Sequence, residues 1–276
     1  MNSPDRYAVI GHPVHHSRSP FIHARFAAQT GQSLSYTTID ATPERFASTV
    51  REFFDGGGKG LNVTIPHKEA AALLADELTP RAARAGAVNL LAARKDGSLL
   101  GDNADGAGLV RDLVDNHHVG IAGRRVLLLG AGGAARGVLA PLLELKPAKL
   151  TIVNRNLARA RELATHFADL GDLRAIGYDE LTGPPFELVI NATAASHTGE
   201  IPPVPPAVVD AHSFCYDLSY GHEGTPFTRW AQQHGAQAIT GLGMLVEQAA
   251  ESFYLWRGIR PVTAAVLKEL AIEMGG

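Results

Sequence analysis

Cysteine is almost missing from this chain: Cys215 stands alone among 276 residues. A lone cysteine excludes an internal disulfide framework and fits a reducing compartment. Set between Phe214 and Tyr216 in a β-like run, it reads as a core thiol rather than a nucleophile. A basic excess is missing as well. The net charge is −3 at pH 7, so bulk electrostatics attract neither nucleic acid nor an anionic membrane. No apolar run approaches the ~20 residues of a membrane helix. The polar start Met1–Arg6 lacks the basic and apolar regions of a signal peptide. The expectation is a soluble, cytoplasmic protein. Metal-ligand spacing is absent too. Of twelve histidines, neither His12, His15 and His16 nor the His117-His118 pair forms a helix-spaced set with a carboxylate, so no metal is expected.

What is present is a globular composition, 45% hydrophobic and 19% charged, which supports a real core. The length suggests one large or two medium domains. Over the first hundred residues, strand patterns at Tyr7–Ile10, Leu34–Ile39 and Gly60–Val63 alternate with helical ones at Ser19–Gln29, Pro43–Phe54 and His67–Leu74. This βαβα rhythm predicts a mostly parallel sheet covered by helices. Gly106–Val114 reads as a helix leading into a second unit, with strands at Arg125–Leu129, Leu150–Val153, Leu188–Asn191, Ser213–Asp217 and Ala236–Ile239. Ile201–Pro206 is loop or extended edge, and Gly243–Gly258 has helical spacing of apolar residues.

The apolar strand Arg125–Leu129 runs into Gly130-Ala131-Gly132-Gly133-Ala134-Ala135, and a helix pattern follows over Ala134–Leu145. In that context the glycines point to a dinucleotide. Gly130 permits the tight turn, Gly132 lets backbone approach a pyrophosphate, and Ala135 is small enough for close helix–strand packing. The helix N-terminus adds free N–H groups. At the end of the next strand, where an NAD enzyme places a carboxylate, stands Asn154-Arg155-Asn156, followed by Arg159 and Arg161. A guanidinium pairs with a 2′-phosphate that a carboxylate would repel. NADP is the expected cofactor.

Five further clusters stand outside that pattern: His16–Pro20, Asn62–Lys68, Gly86–Asn89, Gly101–Gly106 and Gly241–Ala249. With the glycine loop and Asn154-Arg155, in this order, they resemble the shikimate dehydrogenase family over nearly the whole chain. The resemblance implies an α/β protein of two domains. A mostly parallel substrate domain over residues 1–106 is completed by C-terminal helices over 243–276, and a Rossmann-type NADP-binding domain covers 107–242. It implies NADPH-dependent reduction of 3-dehydroshikimate to shikimate, with no nucleic acid or membrane partner, by a monomer or homodimer. Ser17 and Ser19 match the residues that hold the substrate carboxylate, with Tyr220 assisting. Thr64, Lys68, Asn89, Asp105 and Gln248 match those around the ring hydroxyls, and Lys68 with Asp105 matches the catalytic pair. Gly130, Ala131, Gly132, Gly133, Ala134, Asn154, Arg155, Arg159, Leu218 and Gly241 make up the implied cofactor set.

The chemistry suits these residue types. Hydride delivery to a ketone puts negative charge on oxygen, which a lysine ammonium stabilises and then protonates. A neighbouring Asp105 raises the proton affinity of Lys68 while burial lowers it, and sequence leaves open whether Lys68 donates a proton or acts as an electrostatic anchor. Plainer readings stand beside these. Ser19 before Pro20 can be a helix cap, Lys68 a solvated first-turn residue, and Asp105 a turn or cap residue. Asp102 has the same claim by residue type, and only the motif prefers Asp105. Leu90 and Ala104 stand where the family usually has threonine, and Ala194-Ala195-Ser196 replaces a serine-and-glycine continuation. The alternatives are a broader quinate/shikimate dehydrogenase, a non-catalytic NADP-binding sensor, and a folate-type dehydrogenase in which Ser17 and Ser19 have no role.

Overall fold

The computed structural model describes residues 3–275; Met1, Asn2 and Gly276, the outer limits of the expected substrate domain, lie outside them. The chain divides into two compact units. One comprises Met1–Gly108 with Leu245–Leu270, the other Leu109–Met244 with Ala271–Gly276. Among the described residues no helix is long and apolar enough to cross a membrane.

The first unit opens with β1 (Asp5–Gly11), α1 (Ser19–Thr30), β2 (Leu34–Asp40), α2 (Phe46–Asp55), β3 (Gly60–Val63) and α3 (Lys68–Leu74). β1 is buried from Tyr7 to Gly11, as expected of a central strand with both faces covered. α1 starts with Pro20 in its first turn, where the missing N–H costs no bond. It ends at Gly31, whose φ of 67° is the left-handed cap that glycine accepts without strain. Four short elements follow: β4 (Glu77–Leu78), α4 (Pro80–Ala85), β5 (Leu90–Ala93) and β6 (Leu99–Asp102). The strand order is β2-β1-β3-β5-β6-β4. β2, β1 and β3 are parallel, β5 runs antiparallel to both β3 and β6, and β4 is parallel to β6. One core packs Ile10, Phe46, Val50, Leu61, Val63 and Leu91 together.

α5 (Asp105–Arg111) passes into a π-helical turn at Asp112–Asn116, so the helix expected over Gly106–Val114 changes pitch after Arg111. The second unit then contains β7 (Arg125–Leu129), α6 (Gly133–Glu144), β8 (Lys149–Val153), α7 (Leu157–His166), β9 (Leu173–Ile176), β10 (Leu188–Asn191), β11 (Phe214–Asp217), α8 (Pro226–Gln233) and β12 (Gln237–Thr240). All neighbouring strands are parallel, in the order β12-β11-β10-β7-β8-β9. Renumbered within the unit this is 6-5-4-1-2-3, the doubly wound order of two mononucleotide-binding halves. β7 is apolar throughout because both faces are covered: Val126 and Leu128 enter one core, Leu127 and Leu129 the other. The chain closes with α9 (Leu242–Arg257) and α10 (Thr263–Glu273).

Candidate active site and cofactor site

In the first unit, sheet topology gathers the polar clusters at one end. The carboxyl ends of β1, β3 and β6 and the amino end of β5 fall together, because β5 alone among these four runs the other way. That end therefore receives Ser17 and Ser19 after β1, Thr64 and Lys68 after β3, Asn89 before β5, and Asp105 after β6.

The contacts among them are specific. Lys68 Nζ lies 2.5 Å from Asp105 Oδ2, with both side chains largely buried. Asn89 Nδ2 donates to Asp105 Oδ1 at 2.8 Å and to Gln248 Oε1 at 3.3 Å, while Asn89 Oδ1 accepts the Ala104 N–H at 2.8 Å. These partners fix the amide's orientation. Asp105 N–H donates to Asn103 Oδ1 at 3.1 Å, and Gln248 on α9 is steadied by its own Nε2 bond to Leu245 O.

Several plainer readings end here. Arg18, not Ser19, occupies the cap position of α1, and no side chain caps that helix; Ser19 is the first helical residue and is buried. Ser17 Oγ accepts the Ser19 N–H at 3.3 Å. Lys68 is no solvated helix residue. Geometry also separates the two aspartates. Asp102 is occupied by Arg81 through Nε at 2.7 Å and Nη2 at 2.5 Å, by Thr79 Oγ1 at 2.5 Å and by the Asn103 N–H at 2.8 Å. Burial alone would raise its pKa, but the Arg81 and Thr79 bonds outweigh that and hold the carboxyl below its usual range. Asp105 is the aspartate that meets Lys68.

His67 earns its place before the lysine by packing. It stacks on Phe46 with ring centroids 4.4 Å apart, and its Nε2–H donates to Ala41 O at 2.7 Å. Burial pushes its pKa down, so a neutral ring fills an aromatic position and fixes the residue ahead of Lys68. Leu90 and Ala104 are both fully buried.

A second layer of hydrogen bonds supports these residues and has little signature in the sequence. Asn62 Oδ1 accepts from Tyr36 Oη at 2.7 Å, and Asn62 Nδ2 donates to Ser252 Oγ at 2.8 Å and Asn89 O at 3.3 Å. Ser252 Oγ donates in turn to Gln248 O at 3.1 Å. Asn62 was part of a conspicuous cluster; Tyr36 and Ser252 carried no signal beyond ordinary strand and helix positions.

The cofactor candidates lie in the second unit. Gly130 has φ 105°, and a Cβ there would sit 3.0 Å from Ala192 O, so only glycine turns the chain at that point. Gly132 is the cap residue of α6, without a side-chain cap and with no acidic residue in the first turn. A Cβ on Gly132 would meet nothing within 4 Å. Protein packing therefore does not demand glycine there, whereas close approach of a phosphate to backbone N–H groups does. Ala131 is buried, Gly133 and Ala134 are half-buried in the first turn, and Ala135 is fully buried against the sheet. At the end of β8, Asn154 Nδ2 donates to Asn156 O at 2.9 Å, and Asn156 caps α7 through the Ala158 N–H. Arg155 and Arg159 are exposed beyond it. These features fit a phosphorylated dinucleotide. A Cβ on Gly241 would approach Leu218 O to 2.5 Å, so Leu218 and Gly241 meet through their backbones. Tyr220 follows β11 in this unit, whereas Ser17 and Ser19 belong to the first.

Comparison with known proteins bears on the same segments. Residues 9–91 match the family model of the shikimate dehydrogenase substrate binding domain, residues 112–199 that of shikimate / quinate 5-dehydrogenase, and residues 241–271 that of the shikimate 5'-dehydrogenase C-terminal domain. The chain is 57% identical over 274 residues to a shikimate dehydrogenase (NADP(+)) of Methylococcus capsulatus, covering 99% of this chain and 98% of the relative. It is 57% identical over 272 residues to that of Aeromonas salmonicida, covering 98% and 99%. Among solved structures, an Ael1 enzyme from Pseudomonas putida superposes with a TM-score of 0.88 at 46% identity, over 96% of this chain and 98% of the other. Shikimate 5-dehydrogenase from Thermus thermophilus, in complex with NADP(H) and shikimate, superposes with a TM-score of 0.84 at 33% identity, over 98% and 99%.

Proposed function

The chain belongs to the shikimate dehydrogenase family, and from that membership we propose that it catalyses the NADPH-dependent, reversible reduction of 3-dehydroshikimate to shikimate in aromatic amino-acid biosynthesis. The observation that carries the mechanism is the buried Lys68–Asp105 pair, held by Asn89 and Gln248 at the sheet end that also receives Ser17 and Ser19. Residues 1–106 with 243–276 form the substrate domain in this reading, and 107–242 the NADP domain.

Bound NADPH supplies the hydride. The chain's own residues do the rest. Ser17 and Ser19 hold the substrate carboxylate, with Tyr220 assisting, and Thr64, Asn89, Asp105 and Gln248 bond the ring hydroxyls. Lys68 Nζ faces the oxygen on which negative charge grows, stabilises it, and gives it a proton. Asp105 keeps that ammonium in place and accepts from a ring hydroxyl. Gly130 to Ala134 cradle the pyrophosphate, Asn154, Arg155 and Arg159 receive the adenosine ribose and its 2′-phosphate, and Leu218 and Gly241 offer backbone groups. The enzyme works in the cytoplasm as a monomer or homodimer.

The test follows absorbance of the reduced cofactor while purified protein is offered shikimate or quinate with NADP or NAD. Turnover with shikimate and NADP alone is expected. Comparable turnover with quinate or NAD would move the chain to the broader quinate/shikimate enzymes. Arg155→Asp is expected to lower the ratio of NADP to NAD turnover, and an unchanged ratio would remove Arg155 from the 2′-phosphate site.

A further inference from the structure

The two halves of the second unit's sheet differ in what they place at their carboxyl ends. β7 and β8 end in the glycine turn and in Asn154-Arg155, so the cofactor reading above assigns the adenosine half to β7–β9. The doubly wound order then gives the nicotinamide half to β10–β12, one mononucleotide to each half. At the carboxyl end of β11 stands Asp217, with no exposed surface.

Three donors converge on it. Ser196 Oγ lies 2.6 Å and Thr225 Oγ1 2.7 Å from Oδ2, and the Ser219 N–H donates to Oδ1 at 2.9 Å. The protons can be followed one by one. Asn191 Oδ1 accepts from the Thr193 N–H at 3.1 Å and from the Thr193 hydroxyl at 2.7 Å. Its Nδ2 is therefore the group that faces Ser196 Oγ at 3.5 Å, a long contact in which Ser196 can only accept. The single proton of Ser196 goes to Asp217. Thr225 Oγ1 accepts the Thr228 N–H at 3.2 Å and likewise directs its proton to Asp217. Every partner is a donor, so Asp217 is held in the acceptor-only, charged form. Every partner is also neutral, so none of them cancels that charge.

The same carboxylate lies among backbone that the cofactor reading uses. Leu218 N–H donates to Asn191 O at 2.9 Å, and Gly241 N–H to Ser219 O at 3.0 Å. The ends of β10, β11 and β12 are thus tied together around Asp217. Ser196, in the segment where the sequence departs from the family's serine-and-glycine continuation, is one of the ties.

We propose that the buried carboxylate of Asp217 sets the preference of this site for the oxidised over the reduced nicotinamide. The oxidised ring carries a positive charge. On accepting a hydride it gains two electrons and one proton and becomes neutral, so a fixed negative charge at its end of the sheet favours the oxidised form alone. A carboxylate that only held loops together would affect both forms equally.

The experiment measures dissociation constants of NADP⁺ and NADPH separately, by calorimetry and by cofactor fluorescence, on the intact wild-type protein, Asp217→Asn and Asp217→Glu. Unit charges about 12 to 25 Å apart at an effective dielectric near 20 predict that Asp217→Asn raises the ratio of the NADP⁺ constant to the NADPH constant roughly three- to tenfold. Asp217→Glu, which keeps the charge, is expected to stay within about twofold of wild type. An Asp217→Asn ratio equal to wild type, with both constants moved together or not at all, overturns the proposal. Should Asp217→Asn fail to fold, the wild-type ratio is followed from about 50 to about 500 mM salt. Both cofactor forms carry the same phosphates, so their shared salt dependence cancels, and a buried charge is little screened. A ratio steady within about twofold supports Asp217; one that drifts steadily with salt assigns the preference to exposed charges and overturns it. Wild-type protein that binds neither form would instead defeat the cofactor reading on which this rests.

Discussion

Lys68 and His23 are both buried cation-forming residues of one unit, and the fold treats them oppositely. Lys68 is given a carboxylate at 2.5 Å. His23 is enclosed by aromatic rings: stacked on Tyr36 at 4.2 Å, with Trp256 and Phe26 close by, and with neither ring nitrogen in a hydrogen bond. Burial pushes its pKa down to about 3, against a smaller opposite effect of the neighbouring Asn62 side chain. An unfolded histidine titrates near ~6.5. Between those values the unfolded chain binds the extra proton and the folded chain does not. Stability from a neutral His23 is therefore complete above about pH 6.5 and falls by about 1.4 kcal/mol for each pH unit below it, until the folded value near 3 is reached. His23→Phe keeps the stacking and loses no hydrogen bond, so urea unfolding should show a flatter acid limb between pH 6 and 4. An unaltered limb would assign the acid sensitivity elsewhere. For Lys68→Ala the expected outcome is a loss of turnover of about 10²- to 10⁴-fold with NADPH affinity nearly retained. The reverse pattern, weak NADPH binding with normal turnover at saturation, would end its catalytic role.

At the scale of elements, α9 shows how one helix serves the site and the core together. Gln248 and Ser252 on it reach Asn89 and Asn62, and a turn further on Trp256 Nε1 donates to Leu91 O at 3.1 Å while its ring lies over Gly60 of β3. A Cβ on Gly60 would come within 2.2 Å of the indole, so this glycine is a packing requirement. Gly60→Ala is expected to displace Trp256 and destabilise the protein by about 1–3 kcal/mol, seen as a lower urea midpoint and a changed tryptophan emission; a wild-type midpoint would mean the indole swings aside freely. Short apolar runs leading into conspicuous turns or clusters were legible from sequence, β3, β7 and β10 to the residue, although none of them alternates. The β5–β6 pair was not. Leu90, Leu91 and Ala92 are buried in the same way, and the signal that marks the pair is the turn at Asp96-Gly97, with Gly97 at φ 88°. The six residues of α4 are too few for a period, although Thr79-Pro80 and Gly86 mark both of its ends. Within the site, Lys68, Asn89 and Asp105 were legible through the family resemblance rather than through residue type or spacing. Tyr36 and Ser252 escaped because an inward polar group on a strand or helix looks like any core position until the register pairs it with Asn62.

The whole molecule places its two chemistries on separate frameworks. The substrate candidates Ser17, Ser19, Thr64, Lys68, Asn89, Asp105 and Gln248 belong to the mixed sheet's unit, and the glycine turn, Arg155, Asp217 and the one remaining substrate candidate, Tyr220, to the doubly wound one. Each unit has its own buried cluster: Ile10, Phe46 and Leu61 in one, Leu128, Leu139 and Ile152 in the other. A unit with its own core is a candidate for its own cooperative transition. A ligand that binds only the folded form stabilises what it binds by RT ln(1 + [L]/Kd), about 2.7 kcal/mol at a hundredfold excess over Kd. NADP⁺ alone is therefore expected to slow hydrogen exchange in the strands β7, β8, β10 and β11, with little effect on β1, β3 and β5. Shikimate alone should do the opposite. Mass-resolved exchange on the intact protein reads both patterns in one experiment. Equal protection of both sheets by either ligand would show that the units open as one body, and the stability of each site would then have to be argued for the molecule as a whole.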